Sequence, residues 1–197
     1  MSLLDRTNYF VKERVGFFKA ANAYDLMDDN GNNIGVVQEI VPNFLIKMLK
    51  FTDYKPMLPF TVWFSEMDER KLFFIKRGFT IFMSKITVHD EDGRLLGSFK
   101  QKFALLKFKF EVYDASSSLV ANLLGDWKGW DFKLVDKSGN EFLKITKKWA
   151  GLGRELFTSA DNYIIAFNET RKFTLDEKKL FLSAAITVDM VLKESNR

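Results

Sequence analysis

The stretch Thr174-Leu175-Asp176-Glu177-Lys178-Lys179-Leu180-Phe181-Leu182-Ser183-Ala184-Ala185-Ile186-Thr187-Val188-Asp189-Met190-Val191-Leu192-Lys193 decides the reading of this chain. Thr174, with Glu177 three residues later, has the pattern of a capping box, in which each residue satisfies the other's amide. Asp176 and Glu177 suit the positive end of a helix dipole and Lys193 the negative end. Between them, apolar residues project in every direction at 100° per residue. A surface helix is apolar along one stripe, so a helix apolar on every face must be surrounded. Leu180 to Leu192 would cover only about 20 Å of a hydrocarbon core roughly 30 Å thick. Asp189 interrupts it as well, so the expected surround is protein.

The rest of the chain supplies strands. Leu106, Phe108, Phe110 and Val112 alternate with Lys107, Lys109 and Glu111, which is the period-two pattern of a strand with one buried and one wet face. Residues 130–134, 143–145 and 163–167 read the same way, and Phe79 to Val88 is β-branched and aromatic enough to join them. A degenerate turn punctuates these runs: Asp28-Asp29-Asn30-Gly31, Asp90-Glu91-Asp92-Gly93, Asp136-Lys137-Ser138-Gly139 and, more weakly, Asp114-Ala115-Ser116-Ser117. Aspartate first and glycine fourth suit a type I turn closing a hairpin. Four hairpins require at least eight antiparallel strands, and a sheet that large hides its edges by forming a sandwich or closing. The expectation is a mainly β protein: a closed antiparallel barrel with the C-terminal helix, about 174–193, as its central plug. Phenylalanines would fill the annulus. All three prolines fall between Val41 and Phe60, around a possible short helix at 43–50; this stretch is too apolar for a tether. A single domain over 1–197 is expected.

Composition excludes several chemistries. The 197 residues contain no cysteine, one histidine and 21 phenylalanines, and carry a net charge of +4. Disulfides, thiolate zinc sites and thiol catalysis are impossible. The N-terminus lacks the apolar run of a signal peptide, so a soluble, cytoplasmic protein is expected. His89 beside a turn reads as exposed. Asp189 reads as a carboxylate that bonds barrel backbone or reaches the barrel mouth. Gly151-Leu152-Gly153 is too short for a nucleotide loop. Nothing joins a nucleophile to a base, so the expectation is non-enzymatic.

Residues 132–139, 144–152, 154–163 and the helix around Ala184-Ala185-Ile186-Thr187-Val188-Asp189 resemble the phospholipid-scramblase family and the LURP-one-related proteins of the Tubby C-terminal-like superfamily. The resemblance is clear over about 85–195 and weaker over 8–84. It implies a twelve-stranded barrel around a hydrophobic helix, and association with phospholipid or phosphoinositide surfaces. It also implies an acidic calcium segment. This chain has Ser159 and Thr170 at the positions of that segment's end aspartates, leaving Asp161, Asn162 and Glu169. That is short of the six to eight oxygen ligands calcium takes, so no cofactor is expected. The family's cysteine-rich acylation segment has no counterpart.

Residues 70–109 hold ten basic against three acidic side chains, a net +7, which leaves −3 for the remainder of the +4 chain. Lys100, Lys102, Lys107 and Lys109 in this stretch, with Lys147, Lys148, Trp149 and Arg154 as a second cluster, are the candidate contacts for anionic lipid headgroups. A peripheral membrane location follows from that reading. Equally ordinary roles exist: outward faces of amphipathic strands, edge lysines that block aggregation, and turn residues beside a packed tryptophan. The alternative function is a soluble protein-interaction or small-ligand barrel. A pI near 9.1 permits nucleic acid, but no recognition motif is present and none is expected as a partner. No feature names a protein partner.

Overall fold

In the computed structural model the described residues are 2–14, 21–41, 44–49, 51–52, 57–81, 83–102, 108–126, 128–148 and 162–195. Twelve strands follow in chain order: β1 (Asn8–Glu13), β2 (Ala23–Met27), β3 (Asn33–Ile40), β4 (Phe60–Glu66), β5 (Lys71–Arg77), β6 (Lys85–Asp90), β7 (Leu95–Lys102), β8 (Phe108–Asp114), β9 (Leu119–Asp126), β10 (Asp131–Val135), β11 (Glu141–Thr146) and β12 (Asn162–Phe167). Each pairs antiparallel with its neighbours, and β1 pairs with both β2 and β12, closing the barrel. A short helix, α1 (Phe44–Leu49), sits between β3 and β4, within the expected 43–50 stretch, and the long helix α2 (Leu175–Ser195) ends the described chain.

The aspartate turns form as their sequence dictates. Gly31, Gly93 and Gly139 adopt φ near +80° to +88° and donate their amides to the carbonyls of Asp28, Asp90 and Asp136. The aspartate carboxylates take further turn amides: Asp136 Oδ1 accepts from Ser138 and Asn140 at 2.8 and 2.9 Å. Ser117 does without glycine at φ 64°, and so does Glu69 at φ 66° in the Glu66–Glu69 turn. The latter has glutamate first and fourth, where the other turns have aspartate and glycine or serine, and its Asp68 stands third, which is why it leaves no turn signature in the sequence.

Antiparallel alternation places these turns at one end of the barrel. The C-terminal ends of β3, β5, β7 and β11 lie at the other, here called the open rim. Helix α2 enters from the turn end. Its cap is built as the sequence predicts, with the Thr174 amide donating to Glu177 Oε2 at 2.9 Å and the Glu177 amide to Thr174 Oγ1 at 3.2 Å. Arg94 in the β6–β7 turn bonds Asp176 at 2.9 Å, and Lys179 bonds Glu91 at 2.8 Å, fixing the helix entrance. Every residue from Leu180 to Leu192 is buried. The helix packs nearest β7 and β6. Gly97 of β7 permits that approach, because a Cβ there would lie 2.8 Å from Leu180 Cδ2 and run into the Tyr113 carbonyl.

Four expectations need correction. First, the described residues of 78–84 are not strand, and β6 starts only at Lys85; Phe79 and Ile81 project into solvent instead of alternating into the core. Second, phenylalanines such as Phe64, Phe73, Phe99, Phe110 and Phe132 do line the annulus, but Phe10 packs with Met27 and Ile164 in a separate cluster. Third, His89 is half-buried, stacked 5.0 Å from Phe74 and bonded to Thr87 Oγ1. Fourth, Asp189 is only 2% exposed and accepts a hydrogen bond from the Tyr24 hydroxyl at 2.5 Å. It therefore reaches no solvent at the mouth.

Candidate lipid-facing surface

The basic stretch becomes a surface through strand register. Ile86, Phe99 and Phe110 point inward and are fully buried, so their neighbours Lys85, Lys100 and Lys109 point outward. Pairing then sets Lys85 directly opposite Lys100 between β6 and β7, and Lys102 directly opposite Lys109 between β7 and β8. Like charges facing each other across strands are destabilising. In this rim-proximal part of β6–β8, the described carboxylate facing the four lysines is Glu111. It pairs with Lys102 at 3.1 Å and accepts from the Tyr113 hydroxyl at 2.7 Å. These bonds, the Tyr113 hydroxyl first and Lys102 next, hold its carboxyl below the usual range. Lys100 Nζ lies 4.2 Å over the Tyr113 ring. The face keeps a net positive charge at the open rim, and Lys85, absent from the sequence-based candidates, belongs to it. Counting straight back from the Asp90–Gly93 turn would set it opposite Phe99, because the pairing shifts register between Val88 and His89.

Lys107 lies outside the described residues, as do Trp149, Arg154 and Asp161. Lys147 and Lys148 stand at the end of β11, on the same rim but four strand steps from β7. At about 4.8 Å per step that is roughly 19 Å along the wall, so the two predicted clusters do not merge. Lys147 Nζ lies 4.4 Å over the Trp130 ring, and Trp130 stacks on Tyr163 at 4.9 Å. Of the candidate calcium segment, Asn162 and Glu169 are among the described residues. Asn162 opens β12 and is buried, whereas Glu169 follows its far end and is exposed. The length of β12, about 16 Å from Asn162 to Phe167, separates them, too far to share an ion. No group of three or more acidic or histidine side chains comes together among the described residues.

The interior contains polar groups of its own. Tyr24 and Tyr163 flank Asp189, and burial first, then the Asp189 charge, pushes both phenols well up. Lys178, on the first turns of α2, has its Nζ 3.6 Å from the Phe167 ring centroid, with Phe173 and Tyr9 beyond. Burial lowers its pKa to about 8.

A closed antiparallel barrel threaded by an apolar helix, with a lysine-rich outer face, defines the class. The Scramblase family model matches residues 10–195, and the chain belongs to that family. It is 25% identical to altered inheritance rate of mitochondria protein 25 of Saccharomyces cerevisiae, over 95% of this chain and 68% of that protein. It is 20% identical to a phospholipid scramblase family protein of Schizosaccharomyces pombe, over 87% of this chain and 54% of that one. The chain thus spans about half to two thirds of the length of these curated relatives. Its fold is similar to an X-ray structure of a protein from Arabidopsis thaliana, with a TM-score of 0.54 at 10% identity over 96% of this chain and 92% of the other. Among the described residues no helix is long and apolar enough to cross a membrane.

Proposed function

We propose that this barrel is a non-enzymatic module that associates peripherally with anionic phospholipid surfaces, using the lysine face of β6–β8. Membership of a family named for phospholipid scrambling supports a lipid-related role. The observation that carries the specific reading is the double lysine register, Lys85 opposite Lys100 and Lys102 opposite Lys109. Two like-charged pairs on adjacent strands cost stability in the free protein. An anionic headgroup layer would relieve that cost, and each lysine near such a surface contributes about 1 kcal/mol. Lys147 and Lys148, on the same rim, would form a second contact. Calcium has no part in this reading, since Asn162 and Glu169 stand at opposite ends of β12.

Co-sedimentation with phosphatidylserine-containing and pure phosphatidylcholine vesicles tests it. The expected result is preferential binding to the anionic vesicles that weakens with salt and falls at least tenfold in Lys100→Glu/Lys102→Glu. Equal binding to both vesicle types at low salt would sink the lipid reading.

A further inference from the structure

Large apolar side chains collect in solvent on one end of the barrel. Phe79 is 75% exposed, Ile81 74%, Phe51 59%, and Met48 and Met83 54% each; Met57 is exposed too. They come from only two connections, β3–β4 and β5–β6, both at the open rim. The two loops touch: the Thr80 amide donates to the Met57 carbonyl at 3.2 Å, and the Arg77 guanidinium donates to the Leu58 carbonyl at 2.7 Å. Among the described residues, the turn end shows fewer such side chains, Met67, Leu95 and Leu175, spread over separate elements. Single exposed apolar residues are ordinary on a protein surface, whereas a grouped set marks a contact.

The residues beside this tip identify the contact. Lys85 follows Met83 by two positions, and Lys85 faces Lys100 across β6–β7, with Lys102 further along β7. An apolar tip bordered by lysines complements an anionic bilayer, whose charged headgroups lie directly above hydrocarbon. A protein partner could match either feature, but the layered order, apolar at the extremity and basic just behind it, is that of a lipid interface.

We infer that the open-rim tip formed by the β3–β4 and β5–β6 connections inserts into anionic bilayers, with Phe79 and Ile81 as its leading side chains. The inference rests on the lipid reading above and gives it an orientation: the barrel stands on its open rim, and α2 stays inside. It also adds a component that salt does not screen. The lysine face draws the protein to the surface, and the tip anchors it.

The absence of cysteine makes the test clean, because one introduced thiol carries the label. Ile81→Cys and Ser138→Cys, the latter on a turn at the opposite end, are each labelled with an environment-sensitive fluorophore and mixed with phosphatidylserine-containing vesicles. The label at 81 should shift to the blue and that at 138 should not. Phe79→Ser/Ile81→Ser should bind at least about tenfold more weakly at high salt, with an unchanged Tm because both side chains are already in water. If wild type binds anionic vesicles but the label at 81 is unmoved and the double variant binds equally well, the tip inference fails and the lipid reading stands. If wild type binds no vesicle, both fail. A blue shift without vesicles, together with the mass of a dimer, would assign the tip to contact between copies and overturn the inference.

Discussion

Lys178 shows how a single buried charge sets a pH dependence. Its ammonium lies among the rings of Phe167, Phe173 and Tyr9, and burial lowers its pKa to about 8. Cation–π contact recovers part of the cost of leaving water. Between about pH 8 and 10 the unfolded chain holds the proton and the folded one does not, so stability must rise with pH across that window. Below pH 8 both states are charged and the full penalty remains. Lys178→Met should therefore raise stability at pH 7 by about 1–2 kcal/mol and abolish the rise. Chemical denaturation at several pH values measures both. Gly97 works in the opposite sense, since its missing side chain is what lets Leu180 reach the wall. Gly97→Ala should destabilise by about 1–3 kcal/mol through overpacking, read as a lower denaturation midpoint. Neither role is visible in sequence, where Lys178 is one more polar residue near a cap and Gly97 follows a turn.

At the scale of elements, hairpin register matters most. The Asp90–Gly93 turn joins β6 to β7, and the pairing of β6 with β7 and of β7 with β8 brings lysines face to face. Lys85→Glu replaces a repulsive pair with an attractive one. It should raise stability by about 0.2–1 kcal/mol while weakening binding to anionic vesicles. A gain in Tm together with a loss in co-sedimentation would separate a surface kept for binding from one kept for folding. Local pattern misled only where it was weakest. Phe79 to Val88 has strand composition throughout, but the described residues of 78–84 leave the sheet because they carry the chain from β5, which ends at Arg77 opposite Ile86, back into β6. Composition describes what a strand can contain and is silent on where a neighbour stops.

For the whole molecule, the helix is the core that the twelve strands enclose. The segment Leu180–Leu192 is buried from end to end, so its amides can exchange only when the barrel opens. Hydrogen exchange should place them among the slowest in the protein, with opening free energies near the global value. Fast exchange there would contradict an enclosed plug. The barrel around an apolar helix was legible in the sequence, since helix and strand periodicities, capping and turn residues are properties of neighbours along the chain. Where the lysines, the apolar tip and the remnant calcium segment come to lie was not. Chain closure between β1 and β12, and register between strands, pair residues far apart in sequence. Those pairings group Lys85 with Lys100, and Met57 with Thr80, while leaving Asn162 and Glu169 at opposite ends. Local chemistry determined the parts and their architecture. Only the tertiary structure decided which surface they build, because a surface is made by non-local contacts.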